Sequence, residues 1–276
     1  MSVLCRVLGV SRSGFYNWCY RTRKKRSKED NKLIVLVRQL HREADATYGT
    51  RRMAKALGAH GISCGRCRAR TLMKLAGVRV KSKKRFRVTT DSNHNLPVAP
   101  NLLNRQFNVS KPNYSWVGDI TYIWTSEGWL YLATVMDLFS RQIVGWSLQK
   151  RMTSKLVADA LLMAIWRRRP SPGLIFHSDR GSQYCSSQFQ DLLKAHKILC
   201  SMSRKGNCWD NAVMERFFRS LKSERVDFRN YRTREAAKQD VFEWIEMFYN
   251  SKRRHSYLGY VSPREFEKMR SLPLAA

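Results

Sequence analysis

Three carboxylates in this 276-residue chain stand where surface acids normally do not. Asp119 interrupts the β-branched and aromatic run WVGDITYIWT, flanked by Trp116, Ile120, Tyr122 and Ile123. Such a setting penalises an ionised carboxyl unless a cation or a hydrogen-bond donor offsets the desolvation. Asp179 follows the apolar stretch LIFHS and precedes Gly181, a residue that lets backbone approach a ligand closely. Glu215 lies in NAVMERFFRSLKSE, where Glu215, Arg219 and Lys222 fall at i, i+4 and i+7 on one helical face. That face shows one carboxylate and then cations, an order suited to a phosphate backbone. The spacing from Asp179 to Glu215 is a weak signal by itself, and the context gives it weight. Three carboxylates brought together repel one another, and shared divalent cations relieve the repulsion; hard oxygen donors suit Mg²⁺ or Mn²⁺. Two such ions about 3.5 to 4 Å apart clamp the attacking and leaving oxygens of an in-line phosphoryl displacement. This is nuclease or strand-transfer chemistry.

The elements that must position these acids follow from the hydrophobic pattern. WVGDITYIWT, WLYLATVMDLF and QIVGWSLQ, separated by the turn-like TSEG and SR, predict an antiparallel three-strand meander. Helical apolar spacing at 153–168, a short buried strand LIFHSD, a helix SSQFQDLLKAHK and a strand ILCSMS follow. Two long helices, NAVMERFFRSLKSERV and TREAAKQDVFEWIEMFYNSKRR, close the chain. The sum is an α/β domain with a mixed five-stranded sheet and flanking helices. Asp119 then lies in the first strand, Asp179 just past the fourth, and Glu215 in the first turns of a helix.

The first third is different. CRVLGVSRSGFYNWCYR, NKLIVLVRQLHREADATYG, TRRMAKALGAHG and SCGRCRARTLMKLAGV read as short helices broken by Gly or polar turns, the pattern of an all-α helix-turn-helix region. In GVSRSGFYNW, the Ser-Arg-Ser step can cap a helix that presents Arg12 outward. Residues 1–90 hold 24 Lys plus Arg against 4 acids, out of 52 against 21 in the whole chain and a net charge of +31. That concentration matches the electrostatic footprint of phosphate binding, with a solvated helical bundle as the plain alternative. KSKKRFR at 81–87, with Lys83, Lys84 and Arg85, reads as a phosphate-gripping strip or an exposed basic linker. Residues 91–112, with three Pro and five Asn, read as the joint to a core at 113–272. At 43 % hydrophobic residues the composition excludes a disordered basic tail, and no apolar run reaches the roughly 20 residues of a membrane span. Seven irregularly spaced Cys and an N-terminus without a signal-peptide pattern predict reduced thiols in a cytoplasm.

WVGDITYIWT, DLFSRQIVGW, HSDRGSQYCSSQF, SMSRKGNCWDNAVMERFFRSLKSE and YNSKRRHSYLGYVSPREFE, in this order, resemble the catalytic core of bacterial insertion-sequence transposases of the retroviral-integrase (DDE) superfamily. More narrowly, they are similar to the second-frame (OrfB) product of the large two-frame group. YGTRRMAKALGAHGI, with Arg51 and Arg52, resembles the helix-turn-helix segment before that core. The resemblance covers nearly the whole chain. It implies an RNase H-like fold and an Asp-Asp-Glu triad at Asp119, Asp179 and Glu215, holding two Mg²⁺ or Mn²⁺ ions. It also implies hydrolysis at the element's end followed by attack of the freed 3′-hydroxyl on target DNA. Partners are then double-stranded DNA, further copies of the chain on that DNA, and an upstream-frame (OrfA) protein or fusion, in a nucleoid-associated cytoplasmic setting with no membrane. A catalytically silent DNA-binding regulator or relic is the competing reading.

Other residues carry less. Asp137 reads as a turn and hydrogen-bond residue, and His177 as structural or substrate-positioning more than as a general base. His255 reads equally as a DNA contact or as packing. Cys64 and Cys67 form a CxxC, but their spacing to His41 and His60 departs from paired zinc ligands, so no zinc is expected.

Overall fold

The computed structural model describes residues 2–20, 28–81, 97–204 and 208–271, and the chain divides into two compact units, Met1–Arg79 and Val80–Ala276. The basic strip Lys83, Lys84 and Arg85 lies outside the described residues.

In the first unit, apolar residues at helical spacing build α1 (Ser2–Val7), α2 (Arg12–Cys19), α3 (Lys28–Glu43), α4 (Thr50–Ala59) and α5 (Arg66–Leu75). The break at Gly within CRVLGVSRSGFYNWCYR falls at Gly9, which takes a left-handed φ of +65° after α1. Ser11 then caps α2, its hydroxyl accepting from Gly14 N at 3.0 Å, and Arg12 opens the helix exposed, as the Ser-Arg-Ser step predicts. Leu33, Ile34, Val37 and Leu40 of α3 are buried, as are Met53, Ala56 and Leu57 of α4 and Ala69, Leu72 and Met73 of α5. The i, i+3, i+4 recurrence of these residues makes a three-helix core.

In the second unit, β1 (Ser115–Thr125), β2 (Gly128–Asp137) and β3 (Ile143–Gln149) form the expected antiparallel meander. α6 (Ser154–Arg168), β4 (Ile175–Ser178), α7 (Ser182–Cys185), α8 (Ser187–Ala195) and β5 (Leu199–Met202) follow. β4 pairs parallel with β1 and with β5, giving the mixed order β3-β2-β1-β4-β5. α9 (Ala212–Glu224), α10 (Arg234–Phe242), a π-helical continuation at Glu243–Tyr249 and α11 (Pro263–Ser271) complete the unit.

Strand alternation divides the core into two layers. Val117 and Ile123 of β1 join Met214, Phe217, Phe218 and Leu221 of α9 and Trp244 and Tyr249 of the π-helical segment. Trp116 joins Leu156, Leu161 and Ala164 of α6 with Phe176, Tyr184 and Phe189 on the opposite face. Gly145 lets α6 lie directly on β3, since a Cβ there would stand 2.2 Å from Ala160 O. Residues 97–112, expected as joint, pack into this unit: Leu103 is buried, and Leu102 and Leu103 donate their N–H groups to Ser201 Oγ. Leu102, Leu103 and Phe107 supply apolar surface without periodicity, so the pattern gave no sign of their docking.

Candidate active site

β4 ends at Ser178 while β1 runs on past it to Thr125, which bridges Tyr231. The parallel register pairs Ser115, Trp116 and Val117 with Ile175, Phe176 and His177. Asp119 and Asp179 each lie two residues past the Val117–His177 pair, where the strands part. By alternation Asp119 shares the Val117 and Ile123 face, the one α9 covers, so Glu215 and Lys222 approach from above. Gly118 permits the convergence from below, because a Cβ there would meet the Phe176 ring at 2.5 Å.

Both aspartates are half-buried and held by backbone donors, Ile120 N to Asp119 Oδ1 at 2.8 Å and Gly181 N to Asp179 Oδ1 at 2.9 Å. Desolvation and then the Asp179 charge drive the Asp119 carboxyl well above the ordinary carboxylate range. Glu215 adds to the rise, against the Ile120 N–H and Lys222. Lys222 is in turn lowered, first by burial, with Asp227 and Asp119 opposing. The protein therefore gathers negative charge here and compensates it only in part. Glu215 and Arg219 are exposed on the α9 face, and Lys222 is half-buried.

Among the described residues, no group of three or more His, Cys, Asp and Glu side chains stands ready-made to hold a metal. Coulombic coupling reaches farther than coordination distance, so the acids can repel one another without forming a closed cage. The donor chemistry of Asp119, Asp179 and Glu215, three carboxylates, fits a hard divalent cation.

Two residues that sequence reasoning did not assign support this arrangement. Tyr184 of α7 is buried against Phe176 and Phe189; burial, then Asp119 and Asp179, hold its phenol protonated. Asp210, in the 3₁₀ turn Cys208–Asn211 before α9, has a fully buried carboxylate. It accepts from Arg105 Nε at 2.8 Å, Arg204 N at 3.0 Å, Arg204 Nε at 3.1 Å and Asn101 Nδ2 at 3.0 Å. Burial pushes this carboxyl up, but the Arg204 and Arg105 donors outweigh it and hold it well below the usual range. The latch ties the entry of the core to the turn that launches α9. At the other end of α9, Arg253 clamps Glu224 at 2.5 and 2.7 Å.

His177 is fully buried between Ser201 Oγ at 2.8 Å and Ser203 Oγ at 3.1 Å. Ser201 Oγ already accepts two N–H groups and Ser203 Oγ donates to Ser178 O, so Nδ1 accepts and Nε2 donates. Burial lowers its pKa to about 4 against a favourable Asp210 charge. A neutral, fully bonded imidazole positions the Ser178–Asp179 turn. Asp137 accepts from Asn113 N at 2.8 Å and Phe139 N at 2.9 Å, in a turn. His255 meets Tyr249 and Tyr257 edge-on. Cys64 lies before α5 and Cys67 in its first turn, whereas one helix was expected to hold both; His41 Nε2 lies 2.9 Å from Arg79 O. In the first unit, Arg51 is exposed and Arg52 half-buried over the Tyr48 ring at 5.9 Å.

A mixed five-stranded sheet with an acidic cleft at its parted central strands, together with an all-helical basic unit, defines an integrase-type core joined to a helix-turn-helix-like domain. Residues 109–208 and 196–263 match integrase core domain families, and residues 28–86 match an HTH-like domain family. The chain is 47 % identical to the insertion element IS600 uncharacterized 31 kDa protein of Shigella sonnei, over 96 % of this chain and 97 % of that one. It is 42 % identical to the transposase InsF for insertion sequence IS3A of Escherichia coli strain K12, over 97 % and 93 %. A magnesium complex of the HTLV-2 integrase catalytic core domain is 21 % identical with a TM-score of 0.43, covering 56 % of this chain and 96 % of that one. The chain belongs to the insertion-sequence transposases of the DDE superfamily. Polynucleotidyl transfer is the activity general to this family, and the HTH-like domain supports DNA binding. Among the described residues, no helix is long and apolar enough to cross a membrane.

Proposed function

We propose that the chain cleaves DNA at the ends of its insertion sequence and transfers the 3′-hydroxyl into target DNA, with Asp119, Asp179 and Glu215 as its catalytic and metal-holding residues. The observation that carries this reading is the Asp119 carboxyl, buried and raised by Asp179 and Glu215 together. Gathered carboxylates are relieved by a proton or by a bound cation, and phosphoryl transfer uses the cation.

In the first step, water displaces one oxygen of a phosphodiester and leaves a 3′-hydroxyl; in the second, that hydroxyl displaces an oxygen of a target phosphodiester. Each step exchanges one P–O bond for another. Two divalent cations held by the three carboxylates would stabilise the attacking and leaving oxygens. The chain's own residues fix the geometry. Backbone N–H groups orient Asp119 and Asp179, the Asp210 latch and the Arg253 clamp set the two ends of α9, and His177 holds the turn before Asp179. Lys222 and Arg219 offer positive charge to the phosphates beside Glu215. In the helical unit, Arg12, Arg51 and Arg52 are the proposed DNA contacts, together with the strip Lys83, Lys84 and Arg85. The assembly acts as more than one copy on DNA, with an upstream-frame partner or fusion.

The test is joining of a labelled element-end duplex to target DNA in Mg²⁺, comparing the wild type with Asp179→Ala. Joining by the wild type alone supports the proposal. A wild type that joins nothing, or a variant that joins as well, defeats it and favours the DNA-binding regulator.

A further inference from the structure

The tip of the β1–β2 hairpin carries aromatic side chains that the fold leaves in water. Trp124 is 60 % exposed, and Trp129, its register partner across the hairpin, is 38 % exposed. Their rings meet edge to face at 4.8 Å, and Tyr122 meets Trp129 in the same way at 4.8 Å. Neither tryptophan belongs to the two core clusters. Large exposed rings grouped in this way mark a binding surface more than a packing one.

What surrounds them selects the ligand. Lys222 Nζ lies 4.8 Å over the Tyr122 ring, and the same ammonium acts on Asp119. The aromatic group therefore begins at the lysine that acts on Asp119. On the other side, Arg234 Nε donates to Trp129 O at 3.1 Å. The turn's own acid, Glu127, accepts from Arg234 N at 2.8 Å. Rings flanked by cations match a nucleotide strand, whose bases stack while its phosphates meet positive charge.

We propose that Trp124 and Trp129, with Tyr122, form a platform on which an unpaired base next to the reacting DNA end stacks, with Lys222 and Arg234 meeting the adjoining phosphates. Stacking on such a platform is tolerant of sequence, because every base has a π face. The inference rests on the catalytic reading for which DNA end is held, but its test needs no catalysis.

The full chain, without divalent cation, is titrated against a blunt labelled duplex and the same duplex carrying a short unpaired thymidine tail, by fluorescence anisotropy. The wild type is expected to bind the tailed form about tenfold more tightly. The double variant Trp124→Ala, Trp129→Ala is expected to lose that preference with blunt-duplex affinity unchanged, and Trp124→Phe to keep it. The proposal is overturned by a wild type with no preference, by a double variant that retains it, or by equal loss of affinity for both duplexes. It is also overturned if light scattering shows the double variant losing an oligomer while the preference persists, which would make the hairpin an interface between copies. A chain that keeps the tail preference but joins no DNA contradicts the catalytic reading and leaves the platform standing.

Discussion

Asp119 and Asp210 are both withdrawn from water within the second unit, and their surroundings push them in opposite directions. Around Asp210 the chain supplies two guanidinium groups, a backbone N–H and an amide, and the carboxylate is held charged. Around Asp119 it supplies two further carboxylates, one N–H and one partly desolvated ammonium, and the charged form is disfavoured. Elsewhere in the unit, acids are paired in the manner of Asp210: Glu224 with Arg253, Glu267 with Arg168, Asp240 with Arg225. The difference separates charge used to hold the fold from charge left for a ligand to complete. Burial alone does not identify an active site; at Asp119 it is joined by the charges of Asp179 and Glu215.

The largest effect that could break this contrast is on catalysis. Asp179→Ala is expected to lower joining by about 10³-fold or more, the equivalent of several kcal/mol of lost transition-state stabilisation, with little loss of fold stability. Gel analysis of joined products and urea denaturation of the same preparations check both halves. Asp210→Ala is expected to do the reverse in kind, lowering stability because Asn101, Arg105 and Arg204 lose their shared acceptor. An unchanged denaturation midpoint would show that the latch is not structural. Acidification sharpens the contrast further. Asp210, lowered in the fold, contributes stability above its unfolded pKa that is lost as pH falls toward its folded value. Asp119, raised in the fold, opposes folding when ionised, and this opposition fades as it is protonated. His177, lowered from 6.5 to about 4, adds a smaller loss of stability as pH falls through that interval. His177→Gln, followed by denaturation across the same interval, is expected to flatten that part of the profile.

The sequence made one half of the comparison easy to see. A carboxylate within WVGDITYIWT is conspicuous because alternation of β-branched and aromatic residues says strand, and strands in a core do not hold a bare acid. Asp179 and Glu215 were legible as a strand end and a helix face, and the five strands emerged in order from the same patterns. Asp210 was not legible as a latch. Its partners Asn101, Arg105 and Arg204 come from three loops, and no periodicity relates loops to one another. Tyr184 was hidden for the same reason, since α7 is a single turn with no pattern of its own. The switch from α10 to a π-helical segment at Glu243–Tyr249 was equally unreadable, because the apolar sequence continues through it.

The central claim is that Asp119 is held in a repulsive site that a divalent cation completes. Thermal unfolding of the wild type and Asp119→Asn, each with and without Mg²⁺, tests it most directly. Without metal, the asparagine variant should melt higher than the wild type, because the mutual repulsion is gone. With metal, the wild type should rise in a concentration-dependent way while the variant barely moves. A metal-free variant that melts lower, or equal stabilisation of both proteins by Mg²⁺, would contradict the claim.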